Sequence, residues 1–269
     1  MDGRVMIVAG SDSGGGAGIQ ADIKSVTALG GFAMTAVTAL TAQNTLGVHG
    51  IYPVDTEFVA AQMRVVLEDL GADCIKTGML HSVEVIETVA ATLTDIAPDI
   101  PLVADPVMVA KGGAKLLDDG AHSALVSLLL PRSTVLTPNA PEAAALTGLS
   151  VKDEDGQHRA GEALLELGVS AALVKGGHIA GPDVVDILVT RDETLRFSDP
   201  RVDSVNTHGT GCTLASAVAT GVAQGLSLED AVARARQYVR AAILSAPGFG
   251  SGHGPLDHGV TVDPARIGH

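Results

Sequence analysis

Short apolar runs alternate along this chain with amphipathic helical patterns, and that alternation constrains the fold more than any other feature. Residues 4–9, 74–76, 102–104, 134–136 and 171–174 read as buried strands, and residues 32–40, rich in Val and Thr, as extended. Residues 17–29, 56–70, 83–93 and 214–224, with a last segment from Ser227 to about Leu244, carry helical spacing. Thr56 fits the N-cap of the second of these, and Ser227 with Asp230 resembles a capping box. Residues 184–197 read as two antiparallel strands around Arg191, Asp192 and Glu193. Strands that alternate with helices imply an α/β fold with a mostly parallel sheet and helices on both faces. The chain is read as one domain over residues 1–269, with an irregular tail, rich in Gly, Pro and His, from Pro247.

Composition agrees with this architecture. Hydrophobic residues make up 46 % of the chain but aromatics only 2 %, so the core is built from Ala, Val, Leu and Ile. Such a core suits parallel strands packed under helices. A net charge of −14 argues against nucleic-acid and anionic-membrane partners, while leaving room for a locally positive pocket. Two cysteines make no disulfide framework, so a cytoplasmic setting is expected. The apolar run Val5 to Ala9 is too short for a signal peptide, and no stretch is long enough to span a membrane.

Ligands of open parallel sheets bind beyond the carboxyl ends of the strands. Gly10, Thr77, Asp105, Asn139 and Lys175 all fall at such ends, a gathering of polar and glycine positions that folding does not require. The loop from Gly10 to Gly18 lacks the Gly-Lys-Ser/Thr ending of a P-loop. Its weak dinucleotide match at Gly16, Gly18 and Ala21 has no acidic residue between Asp22 and Asp55 to hold a ribose, so an oxidoreductase is not expected. Asp22, one turn into the next helix, reads either as a ligand contact or as a solvated acid favoured by the helix dipole. Residues 206–213 (NTHGTGCT) lead into a helix with two glycines whose unblocked N–H groups face its positive end. That is chemistry for a phosphate or an oxyanion, or else an ordinary glycine turn.

Residues 9–24 (AGSDSGGGAGIQADIK), 41–44 (TAQN), 76–80 (KTGML), 105–108 (DPVM), 137–142 (TPNAPE), 174–178 (VKGGH) and 207–213 (THGTGCT) occur in one order. Together they resemble the hydroxymethylpyrimidine/phosphomethylpyrimidine kinases of thiamine biosynthesis, in the ribokinase-like superfamily. The resemblance runs from Arg4 to about His258. It implies a three-layer α/β/α sandwich, ATP as co-substrate with Mg²⁺, and two successive phosphoryl transfers to a small aminopyrimidine. The first acceptor is 4-amino-5-hydroxymethyl-2-methylpyrimidine and the second is its monophosphate. A homodimer is also implied.

The resemblance assigns roles residue by residue. Gln43 reads the aminopyrimidine, its amide offering both a donor and an acceptor. Gly10, Asp22, Met79 and Val107 stand on the pyrimidine side, Met79 with a soft sulfur against the ring. Lys175, Asn139 and Thr207 serve the ATP phosphates, and Asp105 and Glu142 the metal. Gly209, Thr210, Gly211 and Cys212 form the anion hole. Many superfamily members carry Asp where this chain has Cys212. A thiol at a helix N-terminus can have a lowered pKa, so Cys212 reads either as the general base or as a lining residue. A pyridoxal or pyridoxine kinase is the nearest alternative, a sugar kinase a weaker one, and a non-catalytic nucleotide sensor the alternative of another class. The nine histidines suggest no metal site; His253 and His258 read as solvated loop residues, and Cys74 as a packed thiol.

Overall fold

The strand β1 (Arg4–Asp12) shows how the chain builds its two-sided core. Met6 and Val8 point into one apolar layer and Val5, Ile7 and Ala9 into the other, the period-two alternation of a strand covered on both faces. In the computed structural model, which describes residues 1–109, 113, 116–117, 120–263 and 265, the elements follow in α/β order. They are α1 (Gly18–Ala28), β2 (Phe32–Asn44), β3 (Gly47–Pro53), α2 (Thr56–Asp69), β4 (Cys74–Thr77), α3 (Val83–Ile96) and β5 (Leu102–Ala104). A short α4 (Ala121–Ala124) runs on through a π turn and a 3₁₀ turn to Arg132. Then come β6 (Val135–Leu136), α5 (Ala140–Thr147), α6 (Glu154–Glu166), β7 (Ala171–Val174), β8 (Asp183–Thr190), β9 (Thr194–Pro200), α7 (Thr210–Ala223) and α8 (Leu228–Leu244).

The nine strands lie in the order β3-β2-β1-β4-β5-β6-β7-β8-β9. The six from β2 to β7 are parallel, and β3, β8 and β9 are antiparallel additions at the two sides. Val59, Met63 and Leu67 of α2, Ile86, Val89 and Leu93 of α3, and Leu164 of α6 cover one face. Val26 of α1, Leu214 and Val218 of α7, and Val232 and Tyr238 of α8 cover the other. No helix among the described residues is long and apolar enough to cross a membrane.

The expected strands and helices are present, several with shifted ends. β1 runs on to Asp12 and β2 to Asn44, because Ser11 and Asp12 pair with Leu40 and Thr41 after a register shift. Asp55, not Thr56, caps α2, its carboxylate accepting from Glu57 N at 2.9 Å. Three features carry no clear pattern in the sequence: β3, α6 and the helical segment from Ala121. α6 buries small and polar side chains (Gly156, Gln157, Ala160, Gly161) with Leu164, so it shows no apolar stripe. The tail from Pro247 contributes no helix or strand up to Asp263, and its residues 264 and 266–269 lie outside the described residues.

His258 corrects the sequence reading: it is 5 % exposed, not solvated. Its Nε2 lies 3.0 Å from Thr213 Oγ1 of α7, and its carbonyl accepts from Tyr238 OH of α8 at 2.7 Å. The tail is thereby fastened to both helices, and burial pushes the imidazole pKa down to about 4. The unfolded chain takes up this proton near pH 6.5, so it binds more protons than the folded chain between the two values. Stability should therefore fall as pH drops through that window. Urea denaturation at pH 7 and 4.5 should show about 2 kcal/mol more loss in the native chain than in His258→Gln. Equal losses would show that His258 does not carry the effect.

Candidate active site

Parallel alignment brings the carboxyl ends of six strands to one edge, and Gly10, Gln43, Asp105, Asn139 and Lys175 stand at or just after those ends. Lys175 follows β7, and its Nζ lies 3.0 Å from Oδ1 of Asp105, which follows β5. Thr137 Oγ1 donates to the same carboxylate oxygen at 3.2 Å. Burial alone would lower the Lys175 pKa, but Asp105 and Glu142 more than offset it, so the ammonium is held charged. Asn139 and Glu142 cap α5 reciprocally, at 2.9 Å (Glu142 N to Asn139 Oδ1) and 2.8 Å (Asn139 N to Glu142 Oε2). Burial raises Glu142 to about 7, against the opposing pull of Lys175.

α7 begins at the glycine turn. Gly209 has φ +82°, and a Cβ there would collide with Gly16 O, so both the left-handed backbone and the space demand glycine. Thr210 Oγ1 donates to Thr207 O at 2.6 Å and stiffens the turn. A Cβ on Gly211 would lie 3.4 Å from Lys175 Nζ and 3.7 Å from Asp105 Oδ2. The helix N-terminus and the lysine therefore face a common space, as an anionic ligand requires.

The other half of the edge is apolar. Met79 packs with Ala39 and Leu116 in a small cluster that Val107 joins. Gly10 adjoins it, because a Cβ there would meet Met79 Cε at 2.5 Å. Gln43 stands at the end of β2, half-buried, with its backbone N and O both bonded to Ser13 Oγ.

Two expectations need correction. Asp22 has no exposed surface and reaches no ligand space. Both its oxygens lie 2.9 Å from Lys76 Nζ, and Ser216 Oγ donates to Oδ1 at 2.7 Å, so the carboxylate is used up inside the protein. Cys212 does not have a lowered pKa. Burial pushes the thiol up to about 12, more than nearby Lys76 lowers it, so the helix N-terminus does not make it a thiolate. Cys74 is a packed thiol, likewise pushed up to about 12.

Sequence reasoning missed Asp12, His208 and Lys76. Asp12 organises the glycine loop: its Oδ1 accepts from Gly14 N at 2.8 Å, and its Oδ2 from Gly16 N at 3.1 Å and Ala17 N at 2.8 Å. His208 Nε2 completes the set at 2.8 Å from Oδ2. Burial would raise the Asp12 carboxyl, yet these partners hold it below the usual range. An acid followed by three glycines, whose N–H groups are unhindered, is the signal for Asp12; His208 carries only its place beside Gly209. Lys76 is completely buried, a placement that pattern reading does not anticipate for lysine.

The phosphomethylpyrimidine kinase family pattern matches residues 12–257. The "Thiamine biosynthesis bifunctional protein ThiED" of Geobacter sulfurreducens is 52 % identical over 98 % of this chain; the chain spans about half of that protein (54 %). The "Hydroxymethylpyrimidine/phosphomethylpyrimidine kinase" of Streptomyces coelicolor is 51 % identical, over 95 % of this chain and 94 % of its own. Among solved structures, the pyridoxal kinase of Staphylococcus aureus in complex with ADP aligns with a TM-score of 0.90 at 30 % identity, covering 98 % of this chain and 96 % of that one.

With so little thiolate near neutral pH, Cys212 should react with iodoacetamide at pH 8 at least about a hundredfold more slowly than free cysteine. Mass-spectrometric timing of its alkylation checks this, and a rate equal to that of free cysteine would restore the reactive-thiol reading.

Proposed function

The chain belongs to the phosphomethylpyrimidine kinase family, and from that premise we propose how its residues divide the work. It is a bifunctional kinase that phosphorylates 4-amino-5-hydroxymethyl-2-methylpyrimidine and then the monophosphate, with ATP as phosphoryl donor. Identity near 50 % over almost the whole length to the pyrimidine kinases, against 30 % to the pyridoxal kinase, carries the choice of substrate.

Phosphoryl transfer depends mainly on positioning and on charge stabilisation. Gly10, Met79 and Val107 form an apolar wall suited to a flat ring, with Gln43 reading its polar edge. The turn Gly209–Thr210–Gly211, at the N-terminus of α7, cradles the transferred group, and Lys175, beside Gly211, neutralises it from the other side. Thr207 supports the cradle through its carbonyl, and Asn139 through its cap on α5.

Asp105 and Glu142 suit Mg²⁺, which takes one or two carboxylates and leaves its other positions to water and phosphate. Glu142, raised to about 7 by burial, lacks enough positive charge nearby, and a divalent ion is what would keep it ionised. When bound, Mg²⁺ supplies positive charge to the phosphate oxygens. Asp22 sets the position of Lys76 and does not touch the pyrimidine. Cys212, a thiol at neutral pH, lines the cradle, and the substrate hydroxyl passes its proton late to an oxygen of the transferred phosphoryl group, as its own bond to phosphorus forms and the bond from phosphorus to the ADP oxygen breaks. Both cysteines are free thiols, in keeping with a reducing cytoplasm.

A homodimer is the assembly we favour. Leu40 and Tyr52, paired across β2 and the edge strand β3, are 47 % and 70 % exposed, an apolar pair that a second copy would cover. Light scattering should give twice the chain mass, and Tyr52→Glu should shift it toward the monomer; a monomeric native chain would refute this assembly. ADP release with ATP and Mg²⁺ tests the activity. The pyrimidine alcohol and its monophosphate should both turn over at least about tenfold better than pyridoxine in kcat/KM. Preference for pyridoxine, without turnover of the monophosphate, would overturn the assignment.

A further inference from the structure

Gln43, His208, Asp12 and Thr41 form one hydrogen-bonded group, whose donors and acceptors match in only one orientation of the Gln43 amide. His208 Nε2 lies 2.8 Å from Asp12 Oδ2. Asp12 is an ionised acceptor that already takes three backbone N–H groups, so the hydrogen of this bond sits on Nε2. Gln43 Nε2, also a donor, is placed 3.4 Å from the same nitrogen. Two donors do not bond each other. On the other side, Thr41 Oγ1 lies 2.9 Å from Ser11 O and 3.1 Å from Gln43 Oε1, two acceptors competing for one hydroxyl hydrogen.

Turning the Gln43 amide by 180° removes both conflicts. Amide oxygen and nitrogen are told apart by the network around them. With Oε1 toward His208, the Nε2–H of the histidine finds a second acceptor beside Asp12. With Nε2 toward Thr41, the amide donates to a hydroxyl whose own hydrogen is free for Ser11 O. Each end of the amide has then used half its capacity. One N–H and one oxygen lone pair remain for a ligand, at fixed positions.

We propose that the Asp12–His208 pair, with Thr41, is a specificity device that locks the Gln43 amide in this one orientation, so that the site accepts a 4-amino edge and rejects its 4-oxo counterpart. The inference rests on the reading of Gln43 as the pyrimidine reader. A 4-aminopyrimidine presents an amine donor beside a ring-nitrogen acceptor, and the 4-oxo ring presents the reverse. The ring itself cannot turn over, because its hydroxymethyl must point at the cradle. A locked amide therefore matches one of the two rings, while a free amide turns to suit either. His208 immediately precedes Gly209, so the residue that sets the reader is also joined to the phosphate cradle. His208 N further donates to Gly254 O at 3.1 Å, which holds its backbone in place.

The test compares kcat/KM for the 4-amino substrate and its 4-oxo analogue in the native enzyme and in His208→Phe, Thr41→Val and Gln43→Leu. The native enzyme should prefer the amino compound by at least about a hundredfold. In His208→Phe and in Thr41→Val that ratio should fall about tenfold or more, in part because the 4-oxo compound turns over better in absolute terms, while KM for ATP stays within about twofold. General damage to the fold lowers both rates together and leaves the ratio intact. A ratio that survives in both variants but collapses in Gln43→Leu overturns the locking role and leaves the reader in place. A ratio that Gln43→Leu does not change removes the reader, and the proposal with it.

Discussion

Parallel neighbours cannot be joined by tight hairpins, so between β1 and β7 the chain repeatedly crosses a face of the sheet and returns to the same starting edge. Every parallel strand then ends at the opposite edge, and whatever follows each strand is delivered there. That is how Asp12, Gln43, Thr77, Asp105, Thr137 and Lys175, scattered over more than half the chain, come to stand along one edge of the sheet. β3, β8 and β9 widen the sheet and leave this edge in place. α7 then brings the glycine turn to it from above the sheet.

Delivery of charge to the interior has to be matched by counter-charge. Lys76 and Lys175 are both buried, and each meets one aspartate, Asp22 and Asp105, at 2.9 and 3.0 Å. A buried pair adds little net stability, but removing one partner strands the other at about 3–5 kcal/mol. The two pairs differ in their surroundings. The Lys76–Asp22 pair also takes Ser216 and ties β4, α1 and α7 together. The Lys175–Asp105 pair lies beside Gly211, at the N-terminus of α7, where the helix dipole favours negative charge. A similar need governs the loop after β7: Gly176 N donates to Asp186 Oδ1 at 2.8 Å, while Asp186 pairs with the buried Arg236 of α8.

Much of this was legible in the chain. β5 and β7 are readable as an apolar triplet and quartet that end at a polar residue, and Gly209 and Asp105 by their place before or after regular elements. α6 was not, because it buries Gly161 and Gln157 where a stripe of large apolar residues would have signalled a helix. Gln157 looks like a surface residue, yet its amide donates to the carbonyls of Val174 and Val185 across the sheet. Asp22 misled for the related reason that its partner lies 54 residues away.

The sequence by itself determined the α/β order, the edge at which the polar strand ends gather and the glycine turn at the start of α7, because periodicity and backbone freedom are local properties. Tertiary structure alone decided which charged side chains are buried against distant partners. The pairing of Asp22 with Lys76, of Asp12 with His208 and of His258 with Thr213 joins residues 54, 196 and 45 positions apart. Protonation and amide orientation follow from burial and from such distant partners, neither of which local spacing encodes.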